Sequence, residues 1–283
     1  MLDTEIKMLA FDLDDTALDG NGQLAPETRE AFIRAAEAGI EPVIASGRSF
    51  YSLPDELLEV PGIRYAICSN GANLFDTVNR KCINSMTLIE KSVDQIVKIA
   101  DDYLDTVYVD AFTEGVPHSD RRLLDTLLSN DKISEHRKAY LRRTRRPEDD
   151  IREFIEDNKS HLDCMNYNVF DTRLFDELMN RLEKEVEDIY FTSSIPELIE
   201  ISYKDSGKAA GLRRMCDYLN LPIQNVAAFG NADNDAEMIS VAGRGYAVAN
   251  SSKVALDAAD VVIGPCWENS VAQEIMRILE EKH

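Results

Sequence analysis

Short apolar runs, each ending in small polar residues or glycine, recur towards both ends of this chain. Met8-Leu9-Ala10-Phe11 runs into Asp12-Leu13-Asp14-Asp15-Thr16, and Pro42-Val43-Ile44-Ala45 into Ser46-Gly47-Arg48. Tyr65-Ala66-Ile67-Cys68 runs into Ser69-Asn70-Gly71-Ala72, and Val226-Ala227-Ala228-Phe229 into the loop from Gly230 to Asp235. Four unbroken apolar residues are too few for a helix, and without alternation they read as strands buried on both faces. Tyr246-Ala247-Val248 and Val261-Val262-Ile263 read as two further core strands, and Leu74-Phe75 with Lys81-Cys82-Ile83 as an exposed hairpin. After the turn Asp19-Gly20-Asn21-Gly22, Pro26-Glu27-Thr28 opens a helix that carries Phe32, Ile33, Ala36 and Ile40 on one face and stops near Gly39. Ser206-Gly207-Lys208 precedes another helix through Leu219, and Glu268 to Lys282 forms the last. Strand and helix alternating in this way predict βαβ units on a parallel sheet.

From about residue 85 the pattern changes. Glu90 to Leu104 spaces Val93, Ile96, Val97 and Ala100 along one helix face, while Thr106 to Phe112 alternates like a half-exposed strand. Residues 120–157 are dense in charge and read as mostly helical, with a break at Pro147. His161 to Phe170 is a strand, Thr172 to Val186 an amphipathic helix, and Ile189 to Thr192 and Leu198 to Tyr203 two short strands. Polar strand faces predict a smaller α+β unit with one side of its sheet exposed. The fold class is therefore α/β: a discontinuous parallel-sheet core, residues 1–84 and 204–283, interrupted by an inserted α+β domain, residues 85–203.

Composition narrows the partners. At 44% hydrophobic and 29% charged, the chain has the makeup of a globular protein with ample core. A formal net charge of -21 argues against nucleic acid or an anionic membrane, both of which would repel it. An anionic substrate would then need a local positive patch. There is no basic-then-apolar leader and no run long enough to span a bilayer. Five cysteines, Cys68, Cys82, Cys164, Cys216 and Cys266, are odd in number and lack CxxC spacing, which fits reduced thiols better than a disulfide scaffold or zinc site. Together these features predict a cytoplasmic protein; they leave its oligomeric state open.

The chemistry lies in the polar ends of the strands. Asp12, Asp14 and Asp15 crowd three carboxylates into four positions, and a fold keeps such a group where something compensates, commonly a divalent cation. In an open parallel sheet such ends converge on the edge where ligands bind. A nucleophilic carboxylate, a second carboxylate two residues on, the hydroxyls of Thr16 and Ser46, Lys208 and an acidic loop would meet there, which is what phosphoryl transfer requires. The plainer alternatives are an acidic loop in which Asp15 or Thr16 caps a helix, and a tight turn with a helix cap at Ser46-Gly47. Arg48 either holds the inserted domain, touches substrate or pairs with a surface carboxylate.

With these residues in view, the chain resembles the haloacid dehalogenase-like superfamily and, within it, the Cof-type sugar phosphatases. The motifs that carry the likeness are Phe11-Asp12-Leu13-Asp14-Asp15-Thr16, Ser46-Gly47-Arg48, Lys208 and Gly230 to Asp235, in that order, with Asn70-Gly71-Ala72 beside them. The resemblance spans essentially the whole chain. It implies a Rossmann-like core with a type-two cap, and a Mg2+-dependent phosphatase acting on small phosphorylated metabolites, foremost sugar phosphates. Asp12 is implied to form an aspartyl-phosphate, and Asp14 to act as acid and then base. Lys208 would stabilise the phosphoryl oxygens, with Thr16, Ser46, Gly47, Arg48 and Asn234 contacting substrate. Magnesium would be held by Asp12, the main-chain carbonyl of Asp14, Asn231 and Asp235.

The family most often has aspartate where this chain has Asn231. An amide offers a carbonyl oxygen without charge, so weaker metal affinity rather than lost activity is expected, with Asp235, and behind it Asp233, restoring some charge. Two alternatives to the phosphatase are a phosphosugar mutase of the same superfamily and a non-catalytic phospho-ligand sensor. The basic run Arg137, Lys138, Arg142, Arg143, Arg145 and Arg146 is either a guide for phosphorylated substrate or, as favoured here, a solvated helix face paired with carboxylates such as Asp149 and Asp150. His118, His136, His161 and His283 show no metal-ligand spacing and receive no role. Trp267 and the tyrosines of the inserted segment either line a pocket or, as favoured here, simply pack.

Overall fold

The computed structural model describes residues 5–195 and 197–281. His283 and the end of the predicted last helix at Lys282 lie outside the described residues. Two compact units emerge, one from the chain up to Arg48, Leu53–Asn84 and the chain from Gly207 on, the other from Ser49–Ser52 and Ser85–Ser206. Regular structure begins with β1 (Met8–Phe11), α1 (Pro26–Glu37), β2 (Glu41–Ala45), α2 (Asp55–Leu58), β3 (Tyr65–Cys68), β4 (Asn73–Asp76) and β5 (Lys81–Ser85). There follow α3 (Glu90–Asp101), β6 (Val107–Thr113), β7 (Val116–Asp120), α4 (Arg121–Ser129), α5 (Glu135–Thr144), β8 (Arg146–Glu148), α6 (Ile151–Asn158), β9 (Leu162–Val169), α7 (Phe175–Glu185), β10 (Ile189–Ile195) and β11 (Leu198–Tyr203). The chain closes with α8 (Lys208–Leu219), β12 (Val226–Gly230), α9 (Ala236–Val241), β13 (Arg244–Val248), α10 (Lys253–Ala258), β14 (Val261–Ile263) and α11 (Ser270–Glu281).

The first unit is built on a sheet of order β14-β13-β12-β1-β2-β3-β4-β5. From β14 to β3 the neighbours run parallel, and β3 pairs antiparallel with β4. β1 is central, with Phe11 opposite both Phe229 and Ile44. Every residue of β1 and β12 is buried, as an apolar strand covered on both faces must be. One face packs Met8, Ala10, Val43, Ala45, Ala228 and α8 residues such as Leu212 and Met215 into a single core. On the other, Phe11 stacks on Phe32 of α1 with ring centroids 4.2 Å apart. Each such fully buried ring contributes about 2–3 kcal/mol of burial free energy.

That stacking rotates α1 from its expected orientation. Its buried face is Thr28, Ala31, Phe32 and Ala35, while Ile33 and Ala36 are only partly covered. Small alanines let the helix lie close to the sheet, and Ile33 is displaced to the flank. The predicted exposed hairpin is also half wrong: Leu74 and Phe75 are buried because β4 extends the main sheet, and only β5 is an open edge. At the opposite edge β14 is less a core strand than expected, with Val262 exposed. Trp267, expected to pack, is 65% exposed.

The second unit carries a sheet of order β10-β11-β9-β6-β7-β8, antiparallel except for β7 with β8. Its apolar face, with Val109, Ala111, Met165, Tyr167, Ile199 and Ile201, packs on α3, α6 and α7. β6 was expected to be half exposed; it lies between β9 and β7 and is buried along most of its length. Pro147 does break the helices, as part of the short β8, which the sequence pattern did not reveal. Nor is the basic run simply a solvated face. Lys138 is buried and Arg145 largely covered, with Lys138 3.1 Å from Glu135 and Arg145 3.5 Å from Asp110, and Asp150 instead caps α6. Among the described residues no helix is long and apolar enough to cross a membrane, and none of the five cysteines is in a disulfide.

Candidate active site

Three strands, β12, β1 and β2, lie side by side and parallel, so their carboxyl ends share one edge. Asp12 leaves β1 in extended conformation with its N–H on the Phe229 carbonyl at 2.9 Å. The next residues do not form a regular helix: Asp14 stays extended and Asp15 takes a left-handed turn at φ 56°. Asp15 and Thr16 therefore cap nothing here. Thr16 is buried, and its Oγ1 has no hydrogen-bond partner among the described residues.

Asp12, Lys208 and Asp235 meet although 196 positions separate the first two. Lys208 Nζ donates to Asp12 Oδ1 and to Asp235 Oδ1, both at 2.6 Å, and all three side chains are almost fully buried. Asp235 Oδ2 in turn accepts the N–H groups of Asn231 at 2.9 Å and Ala232 at 3.0 Å. This carboxylate fits only because residue 230 is glycine: a Cβ there would lie 2.5 Å from Asp235 Cβ. No hydrogen bond from the described residues reaches Asp12 Oδ2, which leaves that oxygen available.

Two buried carboxylates against one ammonium leave the interior short of positive charge. Burial pushes the Asp12 carboxyl up to about 7, Lys208 opposes that rise, and Asp235 and Asp14 add to it. For Lys208, burial works against the charged form, but Asp12 and Asp235 outweigh it and hold the ammonium above the ordinary lysine range. This deficit and the all-oxygen donors suit a hard divalent cation. Among the described residues no three His, Cys, Asp or Glu side chains form a metal cage. A fitting set would thus mix the Asp12 carboxylate with carbonyl oxygens, for which the Asp14 main chain and the Asn231 amide are the available groups.

The remaining residues are fixed by the main chain. Ser46 Oγ accepts the Arg48 N–H at 3.1 Å, so its own proton is left to donate to a ligand. Gly47 lies between them. Arg48 reaches back to β1's loop and grips Asp14 with both arms, Nη2 to Oδ1 at 2.6 Å and Nε to Oδ2 at 3.0 Å. Asn234 donates to Asn70 Oδ1 at 2.8 Å. Asp233 is drawn away, its Oδ1 accepting the Ser252 hydroxyl at 2.6 Å.

Two supports were missed by sequence reasoning. Asn250 donates to the Asp15 carbonyl at 2.9 Å and accepts from Cys266 N at 2.9 Å, bracing the loop that bears Asp12 and Asp14. Its signal was present, since Ala249-Asn250-Ser251-Ser252 follows β13 in the same strand-then-polar form. The other support is backbone on backbone: Gly207 N donates to the Asn70 carbonyl at 2.7 Å, and a Cβ on Gly71 (φ 86°) would fall on the Gly207 carbonyl. This contact fixes the start of α8 and with it Lys208.

Comparison with known proteins identifies the family. The family model described as haloacid dehalogenase-like hydrolase matches residues 9–275. The phosphatase YwpJ of Bacillus subtilis is 26% identical over 97% of this chain and 100% of its own length. The pyridoxal phosphate phosphatase YbhA of Escherichia coli is 24% identical over 95% of this chain and 97% of its own. A solved haloacid dehalogenase-like hydrolase from B. subtilis superposes with a TM-score of 0.80, at 25% identity, over 96% of this chain and 99% of that one. The chain belongs to the haloacid dehalogenase-like hydrolases, in their Cof-type phosphatase group.

Proposed function

We propose that the protein hydrolyses small phosphate monoesters, sugar phosphates foremost, in two displacements at phosphorus. The observation that carries this is Asp12: a buried carboxylate with one oxygen held by Lys208 and the other open. In the first displacement Asp12 Oδ2 attacks phosphorus, the ester P–O bond breaks, and Asp14 gives its proton to the departing oxygen. In the second, Asp14 takes a proton from water, the water oxygen attacks the aspartyl-phosphate, and inorganic phosphate leaves with Asp12 restored. Lys208, Thr16 and Ser46 supply hydrogen bonds to the phosphoryl oxygens as their charge changes. A Mg2+ ion held by Asp12, the Asp14 carbonyl and Asn231 would supply the missing positive charge between nucleophile and phosphate. In this reading Asp235 organises the metal loop and Lys208, since its oxygens already accept three hydrogen bonds. Residues 1–84 and 204–283 carry the chemistry, and the cap, residues 85–203, selects the organic part of the substrate.

The test is a panel of phosphate esters with Mg2+, wild type against Asp12→Asn. Stoichiometric release of inorganic phosphate by wild type, and none by the variant, is expected. Unchanged turnover in Asp12→Asn would remove the nucleophile, and phosphate returned to a second hydroxyl rather than released would favour a mutase.

A further inference from the structure

Asp14 is a group of this site that burial does not hold still. Its side chain is 55% exposed, its backbone belongs to an irregular loop, and the hydrogen bonds it accepts from the described residues come from Arg48. Arg48 by contrast is anchored. Its N–H donates to Ser46 Oγ, its carbonyl accepts Ser69 N–H at 2.9 Å, and its side chain is 26% exposed. A planar guanidinium meeting both oxygens of a carboxylate fixes the direction of the carboxylate plane, which a single-point contact cannot do.

We infer that Arg48 is the positioning residue for Asp14, setting the carboxylate's orientation for proton transfer, rather than a ligand of the substrate phosphate. A half-exposed ion pair adds little to stability. The value of this one lies in geometry: proton transfer requires the carboxylate within hydrogen-bond reach of the leaving oxygen or the water. Without the clasp Asp14 turns freely about its two side-chain bonds, and most of the resulting orientations are unproductive. This inference rests on the reading of Asp14 as the acid–base group.

The experiment is a double-mutant cycle of Arg48→Ala and Asp14→Asn, read as kcat, KM and inhibition by inorganic phosphate, with Arg48→Lys as a further arm. Well-placed acid–base groups contribute about 10²–10⁴-fold, so Arg48→Ala is expected to lower kcat roughly tenfold to a hundredfold in the wild-type background. It should leave phosphate inhibition and the melting temperature unchanged and have no further effect on kcat once Asp14 is Asn. Arg48→Lys keeps the charge but not the fork, and is expected to recover only part of the loss. The proposal is overturned if Arg48→Ala weakens phosphate inhibition and lowers activity by the same factor in both backgrounds, which is the behaviour of a substrate ligand. It is also overturned if kcat does not change. Asp12→Asn, run alongside, keeps the two claims separable: turnover that survives it would remove the nucleophile, while the cycle still reports whether Arg48 acts through Asp14.

Discussion

The loops after β1 and β12 are neighbours, and each presents a buried aspartate to the same ammonium at the same 2.6 Å. They nonetheless offer different chemistry. Asp235 has its second oxygen filled by two main-chain N–H groups, whereas Asp12 has none there. An anion so well supplied with donors is a poor nucleophile and a good anchor. One left short of donors, in a site that pushes its acid up to about 7, is costly to bury and ready to react. In the proposed reading, then, backbone donors rather than burial or the shared lysine decide which aspartate reacts.

Removing what the two loops share should have the largest effect. Lys208→Met leaves two buried carboxylates without a cation, and breaking such a pair costs about 3–5 kcal/mol. Urea unfolding should show that loss together with abolished turnover; an unchanged midpoint would mean the carboxylates find compensation elsewhere. The next test separates the two aspartates. Asp12→Asn should abolish turnover with no loss of thermal stability, since it removes an under-supplied buried charge. Asp235→Ala should lower stability by about 1–3 kcal/mol through the N–H groups it strands. Equal stability losses in both variants would erase the distinction.

A smaller effect is expected from pH. Asp12's acid lies near 7 folded against 3.8 unfolded, so between those values the folded state holds a proton that the unfolded state has released. Stability therefore falls as pH rises through this window. Without divalent ions, the melting temperature of wild type should drop relative to Asp12→Asn from about pH 4 to about pH 7 and then run parallel to it, with the window taken from the raised carboxyl. Added Mg2+ should close the gap. The smallest expected change is Asn231→Asp, which adds a charged oxygen to the loop that carries Asp235 and should lower the Mg2+ concentration for half-maximal activity several-fold with little change in substrate KM. An unchanged Mg2+ requirement would place residue 231 outside the metal's reach.

Much of this comparison was readable before any coordinates. The strands β1 and β3 have the bounds that their apolar runs predict, because a run covered on both faces leaves no ambiguity of period. What the sequence withheld was set by distant partners. The rotation of α1 depends on Phe11 stacking, the burial of Leu74 and Phe75 on β4 joining β3, and the central place of β6 on strands on either side of it. In the candidate site, strand-end grammar brought Asp12 and the loop to Asp235 to one edge, whereas Lys208, which opens a helix, lay only at the margin of that pattern. The division of labour between the two aspartates did not follow from the pattern, because it depends on where main-chain N–H groups point. Arg48 had three readings by residue type, and only the geometry paired it with Asp14.

The backbone contact between Gly71 and Gly207 carries a consequence for how such a protein can change. The chain is fastened there on its return, one residue before the lysine, by groups that belong wholly to the first unit. The ammonium's address is thus written without reference to anything between residues 85 and 206. That intervening stretch can lengthen, shorten or be rewritten while the charge triad keeps its registration, much as a socket tolerates many fittings.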